Sequence, residues 1–454
     1  MEQISRRKFL GVAAATGAGM VMTPVSSFSE INNITPLMLS VDEKPALLGG
    51  PKAHPDQFPL WPVYDSAEEQ ALIDVLRSNN WGRLDGKVTA LFEEEYAKLM
   101  GIKHSLAVAS GTSALFTMLG ALDIGPGDEV IIPVYTFVAT YNVVVLNYAL
   151  PILTDTDIET FQVDPQAMEK AVTKQTKALM PVHMGGIPAH IDKIMAIAQK
   201  HKLPVIEDAC QAPWSEWRGK RVGAYGIGGA FSFQSSKNLN CAEGGAITSN
   251  DEDFIKTCYR FHNQGMGPSS ASYGTGEGTR GTNGRLTEFQ ANLLLSQMTR
   301  FEAQSIRRTQ NATYLTKLLN EIPGLSPAKP YDGVTNVSYH LYMFRYDKSH
   351  FAGMSRQRFM EALRAEGIST SSGYGHLNKD AYVTGLAQNK HFLKIYGEKT
   401  MKQWIERNHC PQNDRLIEES LWLTQNMLLG TTRNMEQIAE AMRKIQKNAN
   451  ELKN

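Results

Sequence analysis

The chain has 454 residues and is 42% hydrophobic, enough to bury a large core spread over more than one domain. Its 46 lysines and arginines balance 46 aspartates and glutamates, and no long like-charge block is present, which argues against a nucleic-acid surface. Cys210, Cys241, Cys258 and Cys410 form no CxxC pair and no Cys/His cluster, so neither a disulfide framework nor a metal site is indicated.

Residues 1–30 read as an export signal. Ser5-Arg6-Arg7-Lys8-Phe9-Leu10 gives a basic start with paired arginines, Gly11 to Val21 is small and apolar, and Pro24 ends the run. This is similar to a twin-arginine signal. The run is shorter than the roughly 20 residues of a spanning helix. A periplasmic protein is expected, or a cytoplasmic one where the signal does not function. No A-x-A cleavage site stands out between Ser26 and Glu30. No other stretch is apolar enough to span a bilayer.

Asn32 to Pro59 is an extended lead-in. Ser66 to Arg77 and Lys87 to Met100 carry apolar residues at helical spacing, with Ser66 as the expected N-cap of the first. From His104 the pattern alternates. Short buried-strand runs (Ser105–Ala109, Glu129–Pro133, Ala149–Thr154, Lys177–His183, Leu203–Glu207) are interleaved with helical stretches (Ala114–Leu122, Pro165–Val172, Ile191–His201). Such alternation predicts an α/β fold with a mostly parallel sheet covered by helices on both faces. Gly265 to Gly284 is rich in Gly, Ser and Thr and reads as a mobile loop, after which Leu286 to Arg300 resumes helical spacing. A large domain over 31–300 and a smaller C-terminal α+β domain over 301–454 are expected. The latter has a strand at Tyr339–Tyr346 and helices at Arg356–Glu366 and Met435–Lys447.

Several residues stand where strands leave the core. Ser110-Gly111-Thr112-Ser113 forms a strand–turn–helix junction whose backbone N–H groups suit a phosphate. Tyr135 and Phe137 follow the strand at 129–133, on the sheet edge where ligands sit in open α/β folds. Asp208 follows an apolar run directly, and a carboxylate there is costly unless paired. Ala230 to Ala246 places Lys237 just after another strand-like run, where it can carry an aldehyde cofactor. Pyridoxal 5'-phosphate needs such a lysine, together with an anion for its ring nitrogen, a phosphate cup, a flat partner and a hydrogen-bond partner for its hydroxyl.

Seven segments in order resemble the DegT/DnrJ/StrS sugar aminotransferases of the aspartate-aminotransferase (fold type I) superfamily. They are SGTSAL (110–115), GDEVIIPVYTFVAT (127–140), DTDIETFQVDP (155–165), KALMPVHMGG (177–186), LPVIEDACQA (203–212), GAFSFQSSKNLNCAEGGAIT (229–248) and GTNGRLTEFQA (281–291). The resemblance implies that Lys237 is the Schiff-base lysine and proton carrier, and that Asp208 partners the ring nitrogen. It places Gln211 near the ring hydroxyl and Phe137 on the ring face. Gly111, Thr112, Ser113 and Ser232 would hold the phosphate. Asn283 matches a residue reaching the phosphate from a second subunit, which implies a homodimer with shared active sites.

The implied reaction moves an amino group from an amino acid, glutamate or glutamine, to a keto-sugar or keto-cyclitol by ping-pong kinetics. His340, Tyr374 and His376 lie in C-terminal stretches near where the family binds acceptor. The tail at 410–430 resembles members acting on scyllo-inosose-type cyclitols. Pro213, Trp214 and Trp217 depart from the family pattern after Gln211, where a different ring edge or acceptor pocket is expected. The alternatives are a pyridoxal-dependent sugar dehydratase, which Lys237 disfavours because related dehydratases carry histidine there, and a non-catalytic sugar sensor on the same fold.

Overall fold

In chain order the strands are β1 (His104–Val108), β2 (Glu129–Pro133), β3 (Leu150–Thr154), β4 (Thr176–Leu179), β5 (Ile206–Asp208), β6 (Glu216–Trp217), β7 (Lys220–Arg221), β8 (Gly228–Ser232), β9 (Gly245–Ser249), β10 (Leu325–Pro327), β11 (Val334–Asn336), β12 (Leu341–Tyr346) and β13 (Ser420–Thr424). This computed structural model describes residues 44–267 and 279–453. The export signal expected over 1–30 lies outside the described residues, as do 31–43 of the lead-in and most of the Gly-rich segment.

β2 pairs in parallel with β3 and β4, and β5 in parallel with β8, while β9 runs antiparallel between β8 and β1. Parallel bridges Leu179–Val205 and Val182–Asp208 join the two groups. The result is one sheet in the order β3-β2-β4-β5-β8-β9-β1. The expected α/β class with a mostly parallel sheet is what forms. β2 and β3 are buried at every position, as a sheet covered on both faces requires. Val130, Ile131, Ile132, Leu150, Ile152 and Leu153 build its main core with Met118, Leu119, Tyr141 and Ile194 from the covering helices.

A second core lies around the antiparallel sheet β10-β12-β13, where Phe344, Phe351, Phe359, Leu421, Ile438 and Met442 pack together. Its helices at Arg356–Ala365 and Thr432–Lys447 fall where helical spacing predicts them. The third sheet, β11-β6-β7, is small.

Two local expectations are corrected. The first helix, Ser66–Ser78, is capped by Asp65, whose carboxylate accepts from Ala67 N, while Glu68 accepts from Asp65 N. Ser66 itself is already helical, because the reciprocal box formed by Asp65 and Glu68 satisfies the initial amides one residue earlier. The helix expected to stop near Arg300 runs uninterrupted from Glu288 to Leu319. It has no Gly or Pro along that length, and it buries Leu294 and Phe301 in one half and Leu315 and Leu319 in the other. The point where a change of domain is expected therefore lies inside one helix, which packs on the second core through Leu315 and Leu319 and on a separate cluster with Phe92, Phe231 and Phe233 through Leu294 and Phe301.

Candidate active site

The sheet concentrates chemistry at one edge. β5 ends in Asp208, β8 ends in Ser232, β1 runs into the helix start at Gly111, and β2 runs into Thr136 and Phe137. These ends open into a cavity of about 1020 Å³. Gly111, Thr112, Phe137, Asp208, Gln211, Ser232, Lys237, His340 and Tyr374 all line it. Ser113, Asn283 and His376 do not.

Asp208 is 4% exposed, and a carboxylate that deep needs partners. Its Oδ2 accepts from Thr140 Oγ1 at 2.8 Å and its Oδ1 from Cys210 N at 3.2 Å. Thr136 Oγ1 lies 2.9 Å from Thr140 Oγ1 and extends the chain of hydroxyls. The backbone is pinned as well, with Asp208 N donating to Pro181 O and Asp208 O accepting from His183 N.

The preceding residue, Glu207, points to the other face and is fully buried. Its two oxygens accept from Gly223, Tyr225 and Gly226 N–H groups at 2.7–2.8 Å and from His183 Nε2 at 3.1 Å. His183 Nδ1 accepts from Ala189 N, so the imidazole is the neutral Nε2–H tautomer. Burial pushes the Glu207 carboxyl up, but the His183 and backbone hydrogen bonds outweigh it and hold the group below the usual glutamate value. Glu207 therefore adds stability above the unfolded pKa of about 4.3, and that contribution is lost as pH falls through the lower folded value. This knot fixes β5 from behind and so holds Asp208 still.

Lys237 sits in a turn after β8, its N–H donating to Gln234 O. Its Nζ is 3.4 Å from His340 Nε2. Burial lowers its pKa from the ordinary lysine value, an effect that Cys210 and Asp208 oppose. Burial, reinforced by the Asp208 charge, raises the Cys210 thiol well above its usual range, so it stays neutral.

At the helix start, Ser110 accepts from Ser113 N at 3.0 Å, and the two hydroxyls lie 2.9 Å apart. Ser113 is thus absorbed by the cap, while the first turn's other N–H groups lack intrahelical acceptors. A Cβ on Gly111 would lie 2.7 Å from Cys210 Sγ and 2.8 Å from Ser232 Cβ. Only glycine lets the helix start press against the ends of β5 and β8, which brings Thr112 and Ser232 to one cradle.

Gln211 accepts from Gly185 N through Oε1 and donates from Nε2 to the Tyr374 hydroxyl at 2.9 Å. Phe137 is 55% exposed at the start of the helix Val138–Leu146, and its ring is 6.4 Å from that of Tyr374. His376 instead pairs with Asp414 at 3.1 Å, and Lys379 meets the same carboxylate. Asn283 is exposed and forms an isolated antiparallel bridge with Asn263. Trp214 and Trp217 also face away from the cavity. Trp217 donates to Asp192, and Trp214 packs on Phe301 under Arg221. The departure after Gln211 therefore builds the scaffold rather than the pocket wall.

Sequence reasoning missed several contributors. Thr140 lies one helical turn past Phe137, and Glu207 adjoins Asp208, so both were within sight of quoted motifs. Phe58 and Pro59 at the end of the lead-in, with Leu60, Trp61 and Pro62 just beyond it, line the cavity, and Trp61 Nε1 donates to Ser235 O at 3.0 Å. Trp422, Gln425 and Asn426 line it from β13 and the turn beyond. No local signal marks these as pocket residues.

The donor set fits pyridoxal 5'-phosphate. It offers one amine, one buried carboxylate, hydroxyls and free N–H groups at a helix start, and an exposed aromatic, all around one cavity. The DegT/DnrJ/EryC1/StrS aminotransferase family model matches residues 62–442. An L-glutamine:2-deoxy-scyllo-inosose aminotransferase of Streptoalloteichus tenebrarius is 33% identical over 423 residues, covering 90% of this chain and 99% of that one. The crystal structure of 3-amino-5-hydroxybenzoic acid synthase superposes with a TM-score of 0.76 at 30% identity, over 86% of this chain and 98% of the other. An aminotransferase from Psychrobacter cryohalolentis gives 0.75 at 29% identity, over 88% and 100%. With a match across most of the chain and a cavity whose groups suit the cofactor, the protein belongs to the DegT/DnrJ/EryC1/StrS aminotransferases and uses pyridoxal 5'-phosphate.

Proposed function

We propose that this enzyme moves the amino group of L-glutamine to an uncharged ring ketone of the keto-cyclitol class. The observation that carries the acceptor class is the charge of the cavity. Among the described residues that line it, only Asp208, Lys237 and Glu243 are charged. With Lys237 committed to the cofactor, no cation is left there for a nucleotide diphosphate. Gln234, Ser235, Ser236, Thr424, Gln425 and Asn426 offer amides and hydroxyls, which match the hydroxyls of a polyol. The glutamine donor is read across from the Streptoalloteichus relative's name.

Pyridoxal 5'-phosphate, when bound, supplies an electron sink for the carbon next to the transferred nitrogen. Lys237 would hold it between turnovers and then, as a free amine, carry the proton between donor carbon and cofactor carbon. Asp208 would keep the ring nitrogen protonated, an anion fixed by Thr140 and the Cys210 N–H. Gly111, Thr112 and Ser232 would cradle the phosphate, with Phe137 on the ring face and Gln211 at its edge.

Purified holoenzyme is expected to change absorbance with L-glutamine alone, as its cofactor takes up the amine. Scyllo-inosose should restore the starting spectrum, whereas a nucleotide-linked keto-sugar should not. Restoration by the nucleotide sugar only would overturn the acceptor class.

A homodimer is part of the same reading. Asn283 is exposed and lies away from its own cavity, as expected of a residue serving a second copy. Leu72, Ile73, Leu76, Trp81 and Leu91 expose apolar surface on or beside the helices Ser66–Ser78 and Val88–Met100. Export by the twin-arginine route is also proposed, supported by Arg6-Arg7 ahead of the apolar run. Arg6→Lys with Arg7→Lys should leave the protein in the cytoplasm, and unchanged distribution between fractions would reject export.

A further inference from the structure

We propose that His340 is a positioning residue for Lys237: a neutral imidazole whose Nε2 accepts from the lysine amine and holds it toward the cavity, with Asn238 selecting the tautomer. This rests on the reading of Lys237 as the cofactor-carrying lysine and proton carrier.

The argument starts at Ser338. Its carbonyl accepts from Asn238 Nδ2 at 2.7 Å, which fixes which end of the amide is which. Asn238 Oδ1 is then the atom 3.3 Å from His340 Nδ1. An amide oxygen only accepts, so Nδ1 carries the hydrogen. A neutral imidazole with Nδ1–H has a bare Nε2, and that atom lies 3.4 Å from Lys237 Nζ. An ammonium has three donors and no acceptor, so the polarity of the contact is set. Asn238 and His340 are buried at 2% and 7% exposure, so water does not scramble this chain.

The imidazole stays neutral because burial disfavours its charged form and the charges of Lys237 and Arg308 add to that, placing it well below the ordinary histidine value. Arg308 is fully buried, with Nε on Gln425 Oε1 at 2.8 Å. Its other two nitrogens have no hydrogen-bond partner among the described residues and the guanidinium lies over the Trp61 ring, so no counter-ion shields its charge from His340. Lys237 and Arg308 are the charged groups that bear on the ring. The acceptor therefore persists through the neutral range, and a freed Lys237 always has one fixed partner. A long lysine tail needs this, since misplacing a reactive atom by about 1 Å can cost about 100-fold in rate.

The test uses full-length apoprotein and two variants, His340→Leu and His340→Gln. Reductive methylation with formaldehyde across pH, read by mass spectrometry of the Lys237 peptide, reports the pKa of that amine. His340→Leu should lower it by about one unit, because the ammonium loses its acceptor, while His340→Gln, which keeps a neutral acceptor, should stay close to wild type. Nitrogen NMR of His340 should show the Nδ1–H form, unchanged from pH 5.5 to 8.5. In the holoenzyme, kcat of His340→Leu should fall about 10- to 100-fold with little change in KM for the donor, and the glutamine variant should recover part of it.

An unshifted Lys237 pKa in His340→Leu, or an Nε2–H tautomer, would overturn the proposal while leaving the cofactor role of Lys237 standing. That role fails separately, if Lys237→Ala remains active. Should His340→Leu not fold, Asn238→Ala serves, since releasing Nδ1 should give two tautomers, and a single unchanged Nδ1–H form would refute the selection.

Discussion

Lys237→Ala is expected to abolish amino transfer, with turnover down by at least about 10,000-fold. The substitution removes both the covalent carrier and the proton carrier, and general acid–base help alone is worth about 100- to 10,000-fold. The alternatives inside the cavity do not replace it. Cys210 is held neutral by burial, and His340 is kept uncharged with its Nδ1 engaged by Asn238. The check is single-turnover conversion with L-glutamine, together with loss of the absorbance of lysine-linked cofactor. Retention of more than a hundredth of wild-type turnover would refute the assignment.

The same variant carries a second signature in the apoprotein. The folded pKa of Lys237 lies below the ordinary lysine value of about 10.4 because burial disfavours the ammonium. Between the folded value and 10.4 the unfolded chain holds more protons, so stability rises with pH across that window. Lys237→Ala should flatten that part of the denaturation profile.

Asp208→Asn should lower kcat by about 10- to 1000-fold while the protein stays folded. The side chain keeps its shape, and its remaining oxygen can still accept from Thr140 or from the Cys210 N–H. What it loses is the charge. An opposite charge at contact distance holds a protonated base by about one to three pKa units, and the electron sink weakens by that factor when the ring nitrogen loses its proton. Cofactor affinity should fall with kcat. Steady-state kinetics at saturating cofactor separate the two, and wild-type kcat under those conditions would reject the pairing. Glu207 cannot stand in for it, since its carboxylate points to the other face of β5 and is consumed by Gly223, Tyr225, Gly226 and His183.

The cofactor end of the site was legible because it is assembled from strand–turn–helix junctions. Each junction is local: the Ser110–Gly111–Thr112 turn, the run from β2 into Phe137, Asp208 at the end of β5, and Lys237 after β8. Alternation of buried strands with helices predicts that these junctions share one edge of a parallel sheet, and the cavity forms there. Elsewhere in the cavity, the resemblance pointed to His340 and Tyr374, which line it, but not to the segments that pack across from them. Trp61 reaches Ser235 across 174 positions, and Gln425 meets Arg308 across 117. Nothing in the composition of the lead-in says that it lies over a cavity.

His376 and the pair Trp214 and Trp217 show the converse. Their types suit a binding site, yet an aspartate within reach and the rod-like helix Glu288–Leu319 draw them into the scaffold. That helix outran its expected end because its buried positions keep helical spacing past Arg300 while several of them, Ser305, Arg308 and Asn311, are polar, so the apolar pattern fades where the helix does not.

By itself, then, the sequence determined the class of fold, because strand and helix periodicity and turn chemistry act within a few residues, while seven ordered segments carried the family resemblance and, through it, the role expected of Lys237. Only the tertiary structure decided that Lys237 meets His340, 103 positions away, that Asn238 sets the tautomer of that imidazole, and that Lys237 is the one cation among the described residues lining the cavity. Those facts depend on which distant segments pack together, and packing is settled by the burial of whole faces rather than by any local run of residues.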